Sequence, residues 1–344
     1  MSKSLALVVG AGACKEVRLP VGAELKRVIA NALDIKYEFG RHRVSGDSVI
    51  DGAFRILEDD ISPLLDCAHR IAAAMPQALS IDNFIDSHRD EVSIALCGKL
   101  AITRCILEAE RSSTLYFDPS NIYNTIDFTH TENTWFNAFF QLLTENCSSA
   151  DIPKRLSNVA IVCFNYDRCI EHYIFSSLKN YYSLSDADAT QALKSLEIHH
   201  PYGVVGALPW QDPTAGIAYG GSPNSHKLLE LIKGLRTFTE GVDPAQSNIG
   251  AIRSALSGAQ RIAFLGFAFH RLNIDLLFPP LGEETEYKDI PVYATALGIS
   301  MLDKELIGDE LSVRTRIPRE RIQMRADVKC ADLFHEYWRN LSLL

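Results

Sequence analysis

The sequence predicts an α/β protein built on a doubly wound parallel sheet. Short apolar runs alternate with amphipathic helical patterns along most of the chain, which is the order expected of strands joined by crossover helices. The runs are almost continuously apolar, as is typical of strands that helices cover on both faces. A glycine-rich turn, Gly-Ala-Gly-Ala, follows the first run at residues 10–13.

Five apolar runs are predicted to be strands, with a sixth candidate near the C-terminus. The segment after the glycine turn places apolar residues at the i, i+3, i+4, i+7 and i+8 spacing of one buried helical face, which predicts a helix over Ala23–Leu33. A similar pattern of Leu333, Phe334 and Trp338 predicts a closing helix. The predicted strands are Leu5–Val9, Val159–Phe164, Leu196–His199, Arg261–Leu265 and Val292–Ala296, and the candidate is Arg321–Met324.

Between about residues 36 and 158 the strand signal almost disappears. We therefore predict a sheet-bearing domain made of residues 1–35 and 159–344, with residues 36–158 inserted as a helical subdomain. Residues 201–224 are rich in glycine and proline, which predicts a binding loop or lid. Within the predicted insert, helical patterns lie near residues 47–58, 61–75, 90–111 and 134–147.

Composition indicates an ordinary globular protein. The 344 residues are 47% hydrophobic and 22% charged. A net charge of −9 argues against broad nucleic-acid or membrane-surface binding, because both need clustered cations. No apolar run approaches the roughly 18 to 20 residues that span a bilayer. The first run continues directly into the glycine turn, so we interpret it as a strand rather than a signal peptide.

The eight cysteines are scattered through apolar stretches. No pair forms Cys-x-x-Cys, and no His-x-x-x-His motif follows one, so the spacing predicts no structural zinc site. Cysteines in this setting are typical of buried, reduced thiols, which predicts a cytoplasmic protein.

The glycine turn has two interpretations. Gly10 and Gly12 follow a strand, where free backbone N–H groups can bind a phosphate, but a glycine pair can also form a simple strand-to-helix turn. The fingerprint of dehydrogenases requires a third glycine where this chain has Lys15. Its acidic residue should follow a second strand, whereas Asp34 ends the first predicted helix. A dehydrogenase is therefore the least favoured reading.

Polar residues follow several predicted strands at one edge of the sheet. Asn165 and Asp167 follow the second strand, His199 or His200 follows the third, and Gly266 follows the fourth. Alone, each has a structural explanation: an Asx turn, a loop histidine or close packing. Because ligands bind at the carboxyl ends of parallel strands, their shared location favours a binding site.

The motifs "GAGA…LPVG", "FNYD", "HPYG" and "FLGFAF", in this order, resemble the sirtuin family. The closer resemblance is to the sirtuin-like domains of bacterial antiphage defence proteins, where "FNYD" and a "FLG" strand are typical. The zinc-binding cysteine quartet of deacylase sirtuins is missing, which favours the zinc-free branch of these domains. This resemblance implies a Rossmann-like fold. The family's His-Gly pair is separated here by two residues, which leaves His199 and His200 as alternatives, and we select His200.

The resemblance implies an NAD⁺ glycohydrolase that cleaves the nicotinamide–ribose bond to give nicotinamide and ADP-ribose. Asn165 would position the attacking water or a ribose hydroxyl, and Asp167 would accept a hydrogen bond from the carboxamide. His200 would accept a proton. NAD is then the substrate and no zinc is expected. The implied NAD-binding residues are Gly10, Ala11, Gly12, Ala13, Cys14, Pro20, Gly266, Phe267 and Asn273.

A NAD-depleting activity is toxic and must be gated. The resemblance implies gating by homo-oligomerisation or by a partner such as a HerA-type ATPase or an Argonaute-like protein. Two alternatives stay open: a non-catalytic NAD or ADP-ribose sensor, and an NAD-dependent protein deacylase. The sequence does not say which of Glu16, Asp82 and Asp86 reaches the site, although helix capping is the favoured interpretation of Asp82.

Overall fold

Six of the eight strands in the described residues form one parallel sheet. A computed structural model describes residues 3–39, 42–237, 240, 248–278 and 289–344. Every predicted strand is present, with ends that differ by at most one residue. The strands are β1 (Leu5–Val9), β2 (Lys36–Glu38), β3 (His42–Ser45), β4 (Val159–Cys163), β5 (Glu197–His199), β6 (Ile262–Leu265), β7 (Val292–Thr295) and β8 (Ile322–Arg325).

Helices connect these strands. The longest described helix is α6, with 21 residues. Among the described residues, no helix has both the length and the apolar character that crossing a membrane requires. The helices are α1 (Ala11–Cys14), α2 (Gly22–Leu33), α3 (Ser48–Leu57), α4 (Ser62–Ala74), α5 (Ile81–Ser87), α6 (Val92–Ser112), α7 (Trp135–Thr144), α8 (Ile152–Ser157), α9 (Cys169–Tyr182), α10 (Asp186–Leu193), α11 (Ser225–Leu231), α12 (Ile249–Ser257), α13 (Arg271–Leu277), α14 (Met301–Thr315), α15 (Cys330–Glu336) and α16 (Trp338–Leu341).

The sheet has the strand order β5-β4-β1-β6-β7-β8, and all its neighbours are parallel. Counted in chain order without the β2–β3 hairpin, this is 3-2-1-4-5-6, the order of Rossmann-like dinucleotide-binding folds. The predicted α/β class and doubly wound parallel sheet are therefore confirmed. The order reverses between β1 and β6, so a crevice opens beyond the carboxyl ends of these two strands.

Two hydrophobic cores cover the two faces of the sheet. Successive side chains of a strand point to opposite faces, and in β1 Leu7 enters one core while Val8 enters the other. The Val8 core contains Ile29 of α2, together with residues of α3, α4 and α6. The Leu7 core contains Trp135 of α7 and Phe334 of α15. Burial on both sides explains why the strands are uniformly apolar in sequence.

The segment 36–158 contains the four helices that its periodicity predicts. Its described residues contact both cores: Ile50 belongs to the Val8 core and Ile152 to the Leu7 core. The hairpin of β2 and β3 was not predicted, because its short strands are half-exposed and polar. The boundaries of an inserted subdomain stay a prediction.

Candidate functional site

A cavity of about 480 Å³ opens at the carboxyl edge of the sheet, where the strand order reverses. It is lined by the segments that follow β1, β4 and β6, here represented by Ala11, Asn165 and Phe267. Asp82 and Asp86 of α5 also line it. The volume lies in the range of small-molecule sites, and the location is where open α/β sheets bind their ligands.

The glycines bring two backbone segments into direct contact beside this cavity. Gly266 has a φ of +55°, and a Cβ atom there would lie 2.0 Å from the backbone nitrogen of Ala13. A Cβ atom on Gly10 would lie 2.6 Å from the carbonyl oxygen of Gly266. The N–H of Gly12 donates to that same oxygen at 3.0 Å. Close packing therefore requires glycine at these positions, whether or not a phosphate binds.

Most N–H groups of the glycine turn are already bonded. Gly10 donates to Leu265 O at 2.9 Å, and Ala13 donates to Gly10 O at 3.0 Å. Ala11 lines the cavity, and its N–H donates to no acceptor within the described part of the chain. Of the four amides in the turn, the one at Ala11 is therefore left for a ligand.

Asn165 is held firmly at the cavity wall. Its Nδ2 donates to Gly10 O at 3.3 Å and to the Sγ of Cys14 at 3.2 Å, and the residue is 7% exposed. Its Oδ1 accepts no hydrogen bond from any described residue. A fixed carboxamide with a free carbonyl oxygen can accept a hydrogen bond from a ligand hydroxyl or a water.

Asp167 joins the same wall. Its Oδ1 accepts from the backbone N–H of Cys169 at 3.1 Å and from the thiol of Cys14 at 3.5 Å. The first of these bonds satisfies a free amide at the start of α9. Burial raises the pKa of Asp167, partly opposed by its hydrogen bonds with Cys169. Asp167 therefore has a structural role in addition to its place on the cavity wall.

His200 lies next to Asn165 but is not among the residues that line the cavity. Its Nδ1 lies 3.1 Å from the backbone oxygen of Asn165, and its Nε2 lies 2.8 Å from Oε1 of Glu171. Burial alone would lower the pKa of His200, but the charge of Glu171 raises it well above the ordinary value. Both ring nitrogens face acceptors, an arrangement that favours the doubly protonated imidazolium. This geometry favours positioning of Asn165 over proton acceptance.

The alternative histidine, His199, does not reach the cavity either. Its Nε2 lies 2.7 Å from Oε1 of Glu197, a residue of the same edge strand. Glu197 also pairs with Lys3 at 2.8 Å. Of the two alternatives, only His200 contacts Asn165.

Replacing His200 with glutamine removes its ion pair with Glu171, and the pH dependence of stability then tests that pair. Because the pKa of His200 is higher in the folded chain than in the unfolded one, protonation of the ring stabilises the fold. This contribution is complete below the unfolded pKa of 6.5 and is lost as the pH rises toward the folded pKa. Burial would raise the pKa of Glu171, but the charge of His200 lowers it. The ionised carboxylate therefore contributes stability above its unfolded pKa of 4.5. The stability difference between wild type and His200→Gln should therefore be largest from about pH 4.5 to 6.5 and then shrink by about 1.4 kcal/mol per pH unit. Urea unfolding measures it, and a constant difference up to pH 8.5 would contradict it.

Of the three acidic residues whose roles the sequence left open, Asp82 and Asp86 line the cavity and Glu16 does not. The capping interpretation of Asp82 is wrong, because Ser80 accepts from Asn83 N at 3.0 Å and caps α5. Asp82 instead accepts from the hydroxyl of Tyr166 at the cavity, and burial raises its pKa. Glu16 accepts from the backbone N–H groups of Trp135 and Ala331, at 2.7 and 3.0 Å, and does not line the cavity.

The predicted binding residues divide into two groups. Six line the cavity, and three form the backbone contact beside it without being among its lining residues. Asn273, one of the lining residues, accepts from the hydroxyl of Tyr202 at 2.6 Å. The lining residues are Gly10, Ala11, Cys14, Pro20, Phe267 and Asn273, and the others are Gly12, Ala13 and Gly266.

Several lining residues were not predicted. Tyr166 lies inside the "FNYD" motif, and His270 and Arg271 directly follow "FLGFAF". The location of the motifs could have indicated all three, because they continue the same loops. Together the lining residues offer an amide, carboxylates, an imidazole and a guanidinium, which suits a polar, charged ligand.

A scan against models of known protein families finds no match to this chain, and neither does a search of curated proteins.

Proposed function

We propose that this chain is an NAD⁺ glycohydrolase. The reaction consumes NAD⁺ and water and yields nicotinamide, ADP-ribose and a proton. One observation carries the proposal: the fixed carboxamide of Asn165, with its free oxygen, lines the cavity at the strand reversal of a 3-2-1-4-5-6 sheet. Dinucleotides bind at that position in folds of this order.

The cavity residues suit cleavage of a glycosidic C–N bond. Positive charge develops on the ribose as the bond breaks, and the carboxylates of Asp82, Asp86 and Asp167 would stabilise it electrostatically. The free oxygen of Asn165 would accept a hydrogen bond from the attacking water or a ribose hydroxyl. Bond cleavage releases neutral nicotinamide, and the water oxygen bonds to the ribose carbon.

Asp82 is the proposed acceptor of the proton that the water loses. Burial raises its pKa, which brings a carboxylate closer to the neutral range where a general base works best. The hydroxyl of Tyr166 donates to Asp82 and orients it. In this scheme His200 is a positioning residue, because it contacts the backbone of Asn165 from behind the cavity wall.

Variants of Asn165 test the activity. Asn165→Ala removes the carboxamide, and Asn165→Asp keeps the size but replaces the donor to Gly10 O and Cys14. We expect both to reduce NAD⁺ cleavage on the order of 10²- to 10³-fold, the loss typical of one preorganised polar contact. The matched control is Asn31→Ala, an exposed asparagine of α2 that does not line the cavity.

The measurement follows NAD⁺, nicotinamide and ADP-ribose by chromatography, both with purified protein and in cells that express it. The cellular assay allows for an activating partner or oligomer that purification removes. Equal NAD⁺ levels in cells with wild type and with Asn165→Ala, together with no cleavage by concentrated wild type, would contradict the proposal.

A non-catalytic sensor of NAD or ADP-ribose is the second candidate. The observation that favours it is the absence of both His199 and His200 from the described cavity lining. Saturable NAD binding without release of nicotinamide would identify a sensor. The proposed hydrolase would be gated by homo-oligomerisation or by a partner such as a HerA-type ATPase or an Argonaute-like protein. The proposal also includes a location in the bacterial cytoplasm and a role in antiphage defence.

A further inference from the structure

Two cysteines and a carboxylate, from two distant parts of the sequence, meet beside the glycine turn. Cys14 ends α1, Asp167 follows β4, and Cys169 begins α9. Their ligand atoms, two thiol sulfurs and a carboxylate oxygen, all lie within 4.8 Å of one another. The Sγ of Cys14 lies 3.5 Å from Oδ1 of Asp167. All three residues are buried.

The separation between Cys14 and Asp167 suits a tetrahedral metal ion. Zinc binds sulfur at about 2.3 Å and carboxylate oxygen at about 2.0–2.2 Å, so a sulfur and an oxygen on one tetrahedral ion lie about 3.6 Å apart. The 3.5 Å separation of Cys14 and Asp167 matches that edge. The three residues lie at or beside helix ends, whose hydrogen bonds limit rearrangement.

The cavity provides an entry path. Cys14 and Asp167 line it, whereas Cys169 does not, so an ion would arrive through the cavity and bind at its wall. The fourth position of the tetrahedron would then be taken from the cavity side by water or by the carboxamide oxygen of Asn165. Three protein ligands with one open position are enough to hold zinc-class ions.

We propose that Cys14, Asp167 and Cys169 form a binding site for a thiophilic divalent cation of the Zn²⁺ and Cd²⁺ class. Binding forms two metal–sulfur bonds and one metal–oxygen bond. Two S–H bonds break, and their protons pass to solvent. No electrons are transferred, so no oxidant or reductant is needed.

The site would inhibit the proposed hydrolase, and this part rests on the proposed function. Asn165 donates to the sulfur of Cys14 at 3.2 Å. The free oxygen of this carboxamide, or the water that it would orient, would occupy the open fourth position of a metal ion bound to that sulfur. The cation would therefore take up the group that the proposed reaction uses.

A titration of the full chain with Cd²⁺ tests the site. The thiols are kept reduced with a phosphine, and the half-buried Cys67 and Cys147 are replaced with serine to remove competing ligands. The readout is the ultraviolet charge-transfer absorption of Cd–thiolate bonds. We expect one Cd²⁺ per chain, the intensity of two thiolates and the release of two protons.

Variants identify the ligands. Cys14→Ser and Cys169→Ser should each lose at least half of the absorption, while Asp167→Asn should keep both thiolates and bind at least tenfold more weakly. Cys97→Ser, a buried cysteine in the opposite core, is the matched control and should behave as the parent. A parent without the absorption at stoichiometric Cd²⁺, or the full absorption in the Cys14→Ser/Cys169→Ser double variant, would overturn the site.

The inhibition is measured separately from the binding. In the parent, NAD⁺ cleavage should fall in proportion to Cd²⁺ occupancy and return when a chelator is added. Cleavage that continues at full occupancy would overturn the inhibitory role. The absorption needs no NAD⁺, so a failure of the proposed hydrolase and a failure of the metal site give different results.

Discussion

Replacement of Gly266 with alanine is expected to abolish ligand binding at the cavity and to destabilise the fold by about 2–5 kcal/mol. A left-handed conformation costs an alanine roughly 1–2 kcal/mol, and a side chain forced into packed surroundings costs about 1–3 kcal/mol more. The added Cβ would lie 2.0 Å from the backbone nitrogen of Ala13, and backbone cannot rotate away as a side chain can. Urea unfolding and NAD⁺ cleavage measure the two effects.

Gly298 provides the matched control for this prediction. It also has a left-handed φ, +85°, but a Cβ atom there would meet nothing within 4 Å. Gly298→Ala should therefore lose only the conformational cost of about 1–2 kcal/mol and cleave NAD⁺ as the wild type does. If Gly266→Ala and Gly298→Ala lost the same stability, the contact between the two glycine loops would not be important for the fold.

Removal of the Glu110 carboxylate is the second change with a large expected effect. Glu110 and Arg168 form an ion pair whose side chains are 0% and 1% exposed. Glu110 Oε1 accepts from Arg168 Nε at 3.0 Å, and its other oxygen accepts from Gly220 N at 2.9 Å. Glu110→Ala leaves a buried guanidinium unpaired, which should cost about 3–5 kcal/mol in the free energy of unfolding.

The pair also fixes the loop of residues 201–224. Arg168 donates to the carbonyl oxygens of Ile217 and Ala218, at 2.7 and 3.1 Å. We therefore expect Glu110→Ala to increase proteolysis within this loop as well as to reduce stability. The control is Glu91→Gln in the exposed pair with Arg70, where the loss should stay below about 1 kcal/mol. An equally small loss for Glu110→Ala would contradict the prediction.

The sequence predicts the sheet well because burial on both faces leaves a strong local signal. All five residues of β1 are fully buried, and a run such as "LALVV" has few other interpretations. The β2–β3 hairpin leaves no such signal, because its short strands combine polar residues with partial exposure. Its pairing depends on contacts across the turn rather than on composition.

The candidate site could be predicted only in part. The loops that carry Asn165 and Gly266 follow from strand order, so their convergence at one edge could be expected. The orientation of a side chain could not be predicted, because it depends on partners elsewhere in the chain. His200 bonds to Glu171 and does not line the cavity, and Ser80 takes the capping role expected of Asp82.

The cluster of Cys14, Asp167 and Cys169 also could not be predicted from the sequence. Spacing rules detect metal ligands that are close in sequence, such as Cys-x-x-Cys. Cys14 follows β1 and Cys169 follows β4, and only the pairing of these two strands brings them together. No local pattern could have indicated that they are neighbours.

The contact between Gly12 and Gly266 also determines when the cavity can form during synthesis. The two residues are 254 positions apart (266 − 12), so β6 must leave the ribosome before the cavity wall can close. A nascent or prematurely terminated chain that lacks β6 has Asn165 and Asp82 but no complete pocket. Under the proposed function, a partly translated chain would therefore cleave no NAD⁺ before β6 has been made.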